Sequence, residues 1–252
     1  MRRIVSSSKL SVQLYTVREA LQEDLPGTLV RLAEVGFTQV EPFAFTDFAG
    51  LAAGLAAAGL SAPTAHVHLL GADVDQVAVF GQARALGIQT VIDPYVAPEF
   101  WQHAADIAKT AAALNAAAKI AAGYGIRIGY HNHDHELESI IDGRSALEVF
   151  ADQLDDAVVL EVDTYWAAVG GQDPVALLER LGGRVVALHV KDGPGTTDNK
   201  DQVAVGNGSM PVRDIVEAAP DALRVIELDD SRGDRFQAVA DSYAYLVKEN
   251  LA

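Results

Sequence analysis

The stretch from Arg127 to Glu138 concentrates side chains that can bind a metal ion or transfer protons. Its sequence, R-I-G-Y-H-N-H-D-H-E-L-E, begins as an apolar strand and continues into histidines at positions 131, 133 and 135. Three of the seven histidines of the chain therefore fall within five residues, with acidic residues between and beside them. Imidazole at this density is typical of a metal site or an acid/base site. The alternative is a polar loop after a strand, with its histidines in solvent.

The composition limits which metal ligands are available. The chain has 252 residues, half of them hydrophobic, which is enough for one large core, and we expect a single domain over residues 1–252. It contains no cysteine, so a disulfide framework and a thiolate ligand or nucleophile are both excluded. A metal site must then use His, Asp and Glu, and this ligand chemistry suits Mn, Mg, Co or Zn.

The charge of the chain argues against several classes of partner. There are 35 acidic and 19 basic residues, giving a net charge of −16, which repels nucleic acid and anionic lipid. No stretch reaches the roughly 18 apolar residues of a membrane span. The first ten residues carry no apolar segment of signal-peptide length, so we expect a cytoplasmic protein.

Short β-type runs alternate with Ala/Leu-rich helical runs along the whole chain. The predicted strands cover 10–15, 38–42, 61–69, 89–93, 126–131, 158–163, 184–190 and 223–228. The predicted helices cover the region up to 35, then 48–58, 73–86, 98–124, 145–154, 174–181, 211–219 and 235–249. This alternation predicts a parallel sheet with right-handed crossovers, and eight units in about 250 residues predict a (β/α)8 TIM barrel. A doubly wound open sheet would normally show G-x-G-x-x-G after the first strand, where this chain reads Y-T-V-R-E.

Nearly every predicted strand ends in a carboxylate or an imidazole. In such a barrel the chemistry lies at the carboxyl ends of the strands. The residues at these ends are Glu41, His66 and His68, Asp93, His131 and His133, Glu161 and Asp163, His189 with Lys191 and Asp192, and Glu227 with Asp229 and Asp230. Like charges that converge in a poorly solvated site are costly, and a divalent cation removes that cost. The sequence therefore predicts a metal site at this rim.

Single residues at the rim leave alternatives open. A lone histidine at a strand end is more often a hydrogen-bonded structural residue than a ligand. Glu161 precedes Asp163 by two residues on the same strand face, so we expect it deeper in the barrel as a buried, paired group. Lys191 is either a substrate-binding cation or the partner of Asp192. Tyr15 and Trp166 either line a wall for a sugar ring or pack in the core.

Several short motifs resemble the sugar phosphate isomerase/epimerase family of the xylose-isomerase-like TIM-barrel superfamily. They are V-Q-L-Y-T-V-R at 12–18, Y-H-N-H-D at 130–134, D-T-Y-W at 163–166, H-V-K-D at 189–192 and I-E-L-D-D at 226–230. The superfamily also contains ketose 3-epimerases, inosose dehydratases, 3-dehydroshikimate dehydratases and endonuclease IV. The resemblance spans essentially the whole chain and is more specific for the superfamily than for a substrate.

The resemblance also implies a ligand set. Superfamily members typically hold a divalent metal with a Glu, an Asp, a His and a Glu on strands five to eight, and Asp163, His189 and Glu227 match the last three. At the fifth-strand position this chain has His131 or His133 in place of Glu. In the epimerases that Glu is both a ligand and one of two opposed acid/base groups, so its replacement leaves room for a dehydratase or lyase.

The expected function is a metal-dependent isomerase or epimerase of a sugar or keto-sugar. The catalytic candidates are Glu227, His131 and Lys191, the substrate-binding candidates are Glu41, His66, His68, Tyr15 and Trp166, and the metal candidates are His131, His133, Asp163, His189 and Glu227. The alternatives are a dehydratase or lyase of a keto-cyclitol or 3-keto-glycoside, an endonuclease IV-like enzyme disfavoured by the acidic charge, and a barrel that binds a sugar without turnover. The Gly-rich loop 193–208 has Lys200 as its only cation, so we expect a substrate without phosphate. The sequence identifies no interface, and the expected partners are a sugar or cyclitol and, in the case of an oligomer, a second copy of the chain.

Overall fold

A ring of parallel strands forms the centre of the computed structural model, which describes residues 9–252. The strands are β1 Leu10–Val12, β2 Thr64–His66, β3 Thr90–Asp93, β4 Arg127–His131, β5 Ile140–Ile141, β6 Arg144–Ser145, β7 Val158–Asp163, β8 Val185–Val190 and β9 Leu223–Ile226. Seven of them form one sheet in the order β1-β9-β8-β7-β4-β3-β2, and each neighbouring pair is parallel. β5 and β6 form a separate antiparallel hairpin.

Residues 39–43 occupy the remaining position of the ring, between β1 and β2. They make isolated parallel bridges from Glu41 to Gln13, from Gln39 to Ser61 and from Phe43 to His66. Pro42 lies within this segment and has no backbone N–H to donate to a ladder, which explains why the predicted strand 38–42 is not a regular one. The bridges complete an arrangement of eight parallel segments, which confirms the predicted barrel class.

Helices surround the sheet and connect consecutive strands. They are α1 Arg18–Glu23, α2 Leu25–Val35, α3 Leu51–Ala58, α4 Gln76–Leu86, α5 Ala104–Ala122, α6 His135–Glu138, α7 Ala146–Ala151, α8 Thr164–Val169, α9 Pro174–Leu181, α10 Val212–Ala218 and α11 Arg235–Lys248. Short 3-10 helices cover Leu14–Val17, Pro98–Trp101, Gly182–Arg184 and Asn199–Asp201. Carboxylate or hydroxyl caps fix several helix starts, because they accept from N–H groups that the first turn leaves free. Asp75 caps α4, Asp234 caps α11, and Ser145 forms a capping box with Glu148 on α7.

Two helices end directly before a glycine, as the sequence predicts. Gly59 and Gly87 directly follow α3 and α4 and have left-handed φ values of 70° and 76°. Glycine adopts this conformation without a steric penalty, and it lets the chain turn back toward the next strand. The predicted ends of these two helices are therefore confirmed.

Several local features differ from the predictions, including the division of the first predicted helix into α1 and α2 and the short helix α6. The predicted helix 98–124 is divided into a 3-10 turn and α5, with His103 extended between them. The hairpin of β5 and β6 and the short helix α8 were not predicted. α8 forms because Asp163 Oδ1 accepts a hydrogen bond from the backbone N–H of Trp166 at 2.9 Å, so a strand-end carboxylate is also a helix cap. No helix within residues 9–252 combines the length and apolar character required to cross a membrane.

The barrel leaves no room for a side chain at Gly170, the residue that follows α8. A Cβ at this position would lie 2.6 Å from the backbone oxygen of Asp134 and 2.7 Å from Cβ of Leu137. We expect Gly170→Ala to lower the free energy of unfolding by roughly 1–3 kcal/mol through overpacking, measured by denaturant unfolding. Gly81→Ala is the control, because Gly81 lies in α4 with nothing within 4 Å of its Cβ position, and we expect it to be neutral or stabilising by up to about 1 kcal/mol. Equal effects of the two substitutions would contradict this interpretation.

Candidate metal centre

Parallel strands deliver the predicted polar residues to one rim of the barrel. His66, Asp93, His131 and Asp163 are the last residues of β2, β3, β4 and β7, and Glu227 directly follows β9. Each of these side chains is buried. The structure therefore brings the carboxylates and imidazoles that follow different strands into one enclosed region, as the strand-end pattern predicts.

One compact group at this rim consists of Asp163, His189 and Glu227, whose nearest nitrogen and oxygen atoms all lie within 4.8 Å of one another. His189 Nδ1 lies 2.6 Å from Glu227 Oε2. The ammonium of Lys191 lies 2.8 Å from Asp163 Oδ2 and 2.9 Å from Glu227 Oε2. We call Asp163, His189 and Glu227 the outer group; Glu227 lines a cavity at this rim.

A second group lies beside the outer group and shares His189 with it. It comprises His66, His131, Glu161 and His189, with ligand atoms again within 4.8 Å of one another. Glu161 Oε2 is its centre, at 2.5 Å from His66 Nε2, 3.1 Å from His131 Nδ1 and 3.0 Å from His189 Nε2. We call these four residues the inner group. Glu161 is thus a buried carboxylate paired with imidazoles, in the role that its place two residues before Asp163 suggests.

Glu41 adds a further buried carboxylate beneath the inner group. Its Oε1 accepts from Gln13 Nε2 at 2.9 Å and lies 2.8 Å from His189 Nε2. Oε2 of Glu41 and Oε1 of Glu161 have no hydrogen-bond partner. Glu41 is fully buried and is not part of the cavity wall, whereas the sequence suggests contact with substrate.

With Glu41 included, four buried carboxylates face three cations, which are Lys191 and the imidazoles of His66 and His189, whose pKa values are both raised. Burial, reinforced by the neighbouring charge of Glu161, raises the pKa of Glu41, and burial raises the pKa of Asp163 to about 6 despite the adjacent Lys191. Burial alone would lower the pKa of His189, but Glu161 and Glu227 raise it well above its usual range. Burial is thus the main cause for the two carboxyls, and the neighbouring carboxylates are the cause for His189.

Glu227 remains ionised despite this surplus. Burial alone would raise its pKa, but the charges of Lys191 and His189 hold the pKa of this carboxyl well below its usual range. Glu227 is therefore available to bind a cation or to accept a proton at neutral pH.

The structure separates the two histidines that the sequence leaves as alternatives. His131 belongs to the inner group, and its Nε2 lies 3.8 Å from Asp163 Oδ2. His133 lies outside both groups, packs edge-on against Tyr95 with ring centroids 5.6 Å apart, and lines the cavity. Nδ1 of His133 is buried without a hydrogen-bond partner, and burial lowers the pKa of its ring. Both histidines line the cavity, and of the two only His131 belongs to a group that could hold a metal ion among the residues that the structure describes.

A buried glutamate that sequence reasoning missed, Glu136, holds this loop in place. Its Oε1 accepts from the Tyr130 hydroxyl at 2.6 Å, and its Oε2 accepts from the backbone N–H of His133 at 2.8 Å. Tyr130 is fixed in turn between Trp101 and Phe150, with ring centroids 5.3 and 5.1 Å away. The Tyr-His-Asn-His-x-x-Glu spacing is the only sequence signal that could have identified Glu136 as an anchor.

The cavity above the two groups has a volume of about 640 Å³. Of the predicted substrate-binding residues, Tyr15, His66, His68 and Trp166 line it. Tyr15 is 39% exposed and packs edge-on against Phe43, so it forms part of an aromatic wall. The side chain of His68 is mostly exposed and lies 3.8 Å from buried Asp93, which accepts from three backbone N–H groups.

Lys191 and Asp192 have separate partners. Lys191 pairs with Asp163, Glu227 and Asp229, while Asp192 accepts hydrogen bonds from backbone N–H groups of loop 193–210. Asp229 Oδ2 also accepts from Trp166 Nε1 at 3.1 Å and from Gln202 Nε2 at 2.7 Å. No pattern in the sequence indicates Gln202, because it lies in an irregular loop.

A profile of known sequences, described as a xylose isomerase-like TIM barrel, matches residues 30–224, which is more than half of the chain. Among curated proteins, none matches the sequence.

Solved structures with the same fold cover nearly the whole chain. A sugar phosphate isomerase/epimerase from Parabacteroides distasonis ATCC 8503 superimposes with a TM-score of 0.80 and 24% identity, over 98% of this chain and 96% of that chain. The IOLI protein with a zinc atom gives a TM-score of 0.71 and 15% identity, over 97% and 98%. The probable 3-DHS dehydratase AsbF from Bacillus anthracis gives a TM-score of 0.73 and 13% identity, over 95% and 99%. At these identities the likeness establishes the fold.

The charge of His135 provides a pH-dependent test of the loop that carries His131 and His133. Burial alone would lower the pKa of His135, but Asp134, Glu136 and the carbonyl of Val96 raise it to about 10. The charged form therefore stabilises the fold fully below the unfolded-state pKa of about 6.5, and this contribution disappears as the pH rises through about 10.

We expect wild type to exceed His135→Gln in unfolding free energy by at least about 1 kcal/mol near pH 6. The difference should shrink toward pH 10, as measured by urea unfolding at each pH. A difference that stays constant between these two pH values would mean that His135 is not charged in the folded protein.

Proposed function

Because the chain belongs to the xylose isomerase-like TIM barrel family, we propose that it is a divalent-metal-dependent isomerase or epimerase of an unphosphorylated sugar or keto-sugar. The observation that carries the proposal is the convergence of Glu41, Glu161, Asp163 and Glu227, all buried, at the carboxyl ends of the strands. A barrel that served only as a scaffold would gain nothing from this concentration of buried negative charge.

The residues present fit a divalent cation. Oε2 of Glu41 and Oε1 of Glu161 lack partners, and the pKa values of Glu41 and Asp163 are raised, so the region has acceptor atoms and charge left to satisfy. The donors are imidazole nitrogens and carboxylate oxygens, which suit Mn, Mg, Co or Zn. The surplus of negative charge thus supports a cation as part of the working protein.

The outer group is the better candidate for holding the cation. Glu161 Oε2, from the one carboxylate of the inner group, already faces three imidazole nitrogens. The outer group offers two carboxylates, and one of them, Glu227, borders the cavity. Asp163, His189 and Glu227 would be the ligands, with His131 as the nearest further donor. A bound divalent cation lowers the pKa of the C–H bond next to a substrate carbonyl and offsets the charge that develops on oxygen.

The side chains around the cavity supply the proton transfers. Glu227 is ionised and borders the cavity, which qualifies it to remove a proton from carbon. His133 also borders the cavity, and its unpartnered nitrogen qualifies it to exchange a proton with a substrate oxygen or carbon. Return of the proton to the same carbon from the other side inverts that centre, and return to the neighbouring carbon moves the carbonyl.

The cavity favours a substrate without phosphate. Arg18 lines the cavity, and its guanidinium already has partners. It donates to the backbone oxygens of Tyr15 and Asp229 and lies 4.1 Å from the centre of the Tyr15 ring. Asp47, Glu227 and Asp229 line the same space. A phosphate group would meet more negative than available positive charge there, whereas the hydroxyl groups of a sugar or cyclitol can pair with these carboxylates.

A dehydratase or lyase of a keto-cyclitol or 3-keto-glycoside is the second candidate. The specific observation in its favour is His131 at the end of β4, the fifth strand of the barrel. The epimerases have a Glu at this position, as one of two opposed acid/base carboxylates, and this chain has an imidazole there instead. The probable 3-DHS dehydratase also shares the fold. The same proton abstraction followed by loss of a β-hydroxyl or alkoxyl group gives an enone, whose new ultraviolet absorbance distinguishes this reaction from isomerisation.

Uptake of solvent deuterium tests the proposal directly. We expect the wild-type protein, loaded with Mn, Mg, Co or Zn, to introduce deuterium next to the carbonyl of at least one member of a panel of keto-sugars and cyclitols, read by NMR. Chelator treatment should abolish the uptake, and the addition of metal should restore it.

The Glu227→Gln variant tests the role of the proposed base. We expect deuterium uptake to fall by at least about 100-fold, as is typical of the loss of a general base. Glu179→Gln, on the exposed face of α9, is the matched control and should keep wild-type uptake. Unchanged uptake in Glu227→Gln at full metal occupancy would exclude this residue as the base, and a wild type that exchanges no proton with any substrate would favour a binding barrel.

A further inference from the structure

The ammonium of Lys191 occupies the centre of three carboxylates. Nζ lies 2.8 Å from Asp163 Oδ2, 2.9 Å from Glu227 Oε2 and 2.7 Å from Asp229 Oδ2. The Lys191 residue is only 1% exposed. An ammonium group has three hydrogens to donate, and here it has three anionic oxygens around it. Lys191 is therefore the built-in counter-ion of this part of the rim.

Two of these three oxygens belong to the outer group. Asp163 and Glu227 are the carboxylate ligands of the proposed cation, and the ammonium contacts Asp163 Oδ2 and the same Glu227 oxygen that lies 2.6 Å from His189 Nδ1. A divalent cation bound to the same atoms would lie within a few ångströms of Nζ. Two cations at that separation repel each other strongly in a region that excludes water. The ammonium and a divalent cation therefore compete for Asp163 and Glu227.

The third oxygen, Asp229 Oδ2, can keep the ammonium as its partner when a cation binds the other two oxygens. Asp229 is not part of either group, and it is held in position by Trp166 Nε1, by Gln202 Nε2 and by the bond from its own N–H to Gln202 Oε1 at 2.8 Å. Nζ also lies 5.7 Å from the centre of the Trp166 ring, a distance at which a cation is attracted to the aromatic face. Lys191 can thus give up two partners and keep one.

We propose that Lys191 is a resident cation that holds the outer group together without metal, and that a divalent cation binds by displacing its ammonium from Asp163 and Glu227 onto Asp229. This inference rests on the proposed metal site. It makes Lys191 a determinant of metal affinity. The ammonium weakens binding of the ion, and in the absence of the ion it stabilises the folded arrangement of Asp163 and Glu227.

Direct titration of Mn²⁺ tests the competition without any substrate. Wild type, Lys191→Met and Lys119→Met would be freed of metal with a chelator and titrated by calorimetry, with free Mn²⁺ checked by electron paramagnetic resonance. Methionine matches the uncharged stem of lysine up to Cε and lacks the ammonium. Lys119 is an exposed lysine at the end of α5, 3.6 Å from Asp155, so its variant is the matched control.

We expect Lys191→Met to bind Mn²⁺ at least about tenfold more tightly than wild type, and Lys119→Met to stay within about twofold. The metal-free Lys191→Met variant should melt below metal-free wild type and recover on addition of Mn²⁺, because its carboxylates have lost their counter-ion. Lys191→Gln, which removes the charge but keeps a hydrogen-bond donor, should show the same gain in affinity. It replaces Lys191→Met if that variant does not fold without metal.

The Asp229→Asn variant tests the proposed second position of the ammonium. It should weaken Mn²⁺ binding at least about threefold, because the displaced ammonium then has no anionic partner.

The outcomes separate this inference from the proposed function. A wild type that binds Mn²⁺ while both neutral variants at position 191 bind it equally or more weakly would overturn the inference and leave the proposed metal site standing. Wild-type affinity in Asp229→Asn would overturn the part assigned to Asp229. Absence of Mn²⁺ binding in wild type and in both neutral variants would overturn the metal site itself, and the inference with it.

Discussion

The arrangement of this protein depends on one electrostatic constraint, which is the burial of more carboxylates than cations at the rim of the barrel. Glu41, Glu161, Asp163 and Glu227 are each at most 5% exposed, and they lie among the ammonium of Lys191 and three imidazoles. Burial holds the pKa of one of these imidazoles, His131, well below its usual range, so it does not contribute a positive charge. Charged groups in a poorly solvated region are tolerated only when they are paired or when a bound ion neutralises them. The raised pKa values of Glu41 and Asp163 result from burial, which the neighbouring cations do not fully offset.

The scaffold has to fix these side chains against their mutual repulsion. Some side chains of this region also make hydrogen bonds that stabilise the local backbone, and these bonds hold them in place. Asp163 caps α8 through Oδ1, so its other oxygen is aimed at Lys191 and cannot rotate away without the loss of a helix cap. Glu136 ties the loop after β4 to Tyr130, and this fixes the backbone of His133, whose ring packs edge-on against His131. Rigid placement of this kind is what a site that binds an ion and orients a substrate requires.

The repeating pattern of the chain predicts the barrel because each strand–helix unit carries its own local signals. Alternation of strands and helices, glycine at helix ends and polar residues at strand ends are all readable from neighbouring residues, and β7 and α9 have the bounds that the sequence predicts. The second strand was predicted as regular because propensity does not weigh the missing N–H of Pro42. α8 was missed because a helix of six residues depends on the Asp163 cap rather than on a periodic pattern.

The partners within the site were less predictable than its members. The places of the side chains at strand ends determine which of them reach the rim. Their mutual contacts depend on the tilt and register of strands that are distant in sequence. Lys191 illustrates this point, since its neighbour in sequence, Asp192, binds the backbone of a loop while three carboxylates from other segments surround the ammonium. Glu136 and Gln202 act through contacts that no local pattern encodes.

Anomalous diffraction at the manganese edge, on crystals of the protein grown or soaked with Mn²⁺, tests the central claim most directly. The account predicts one strong anomalous peak within bonding distance of Asp163, His189 and Glu227, with the ammonium of Lys191 moved toward Asp229. A peak bound only by His66, His131 and Glu161 would place the ion in the inner group instead. No peak at either group, at Mn²⁺ concentrations in the millimolar range, would contradict the claim that a divalent cation neutralises this rim.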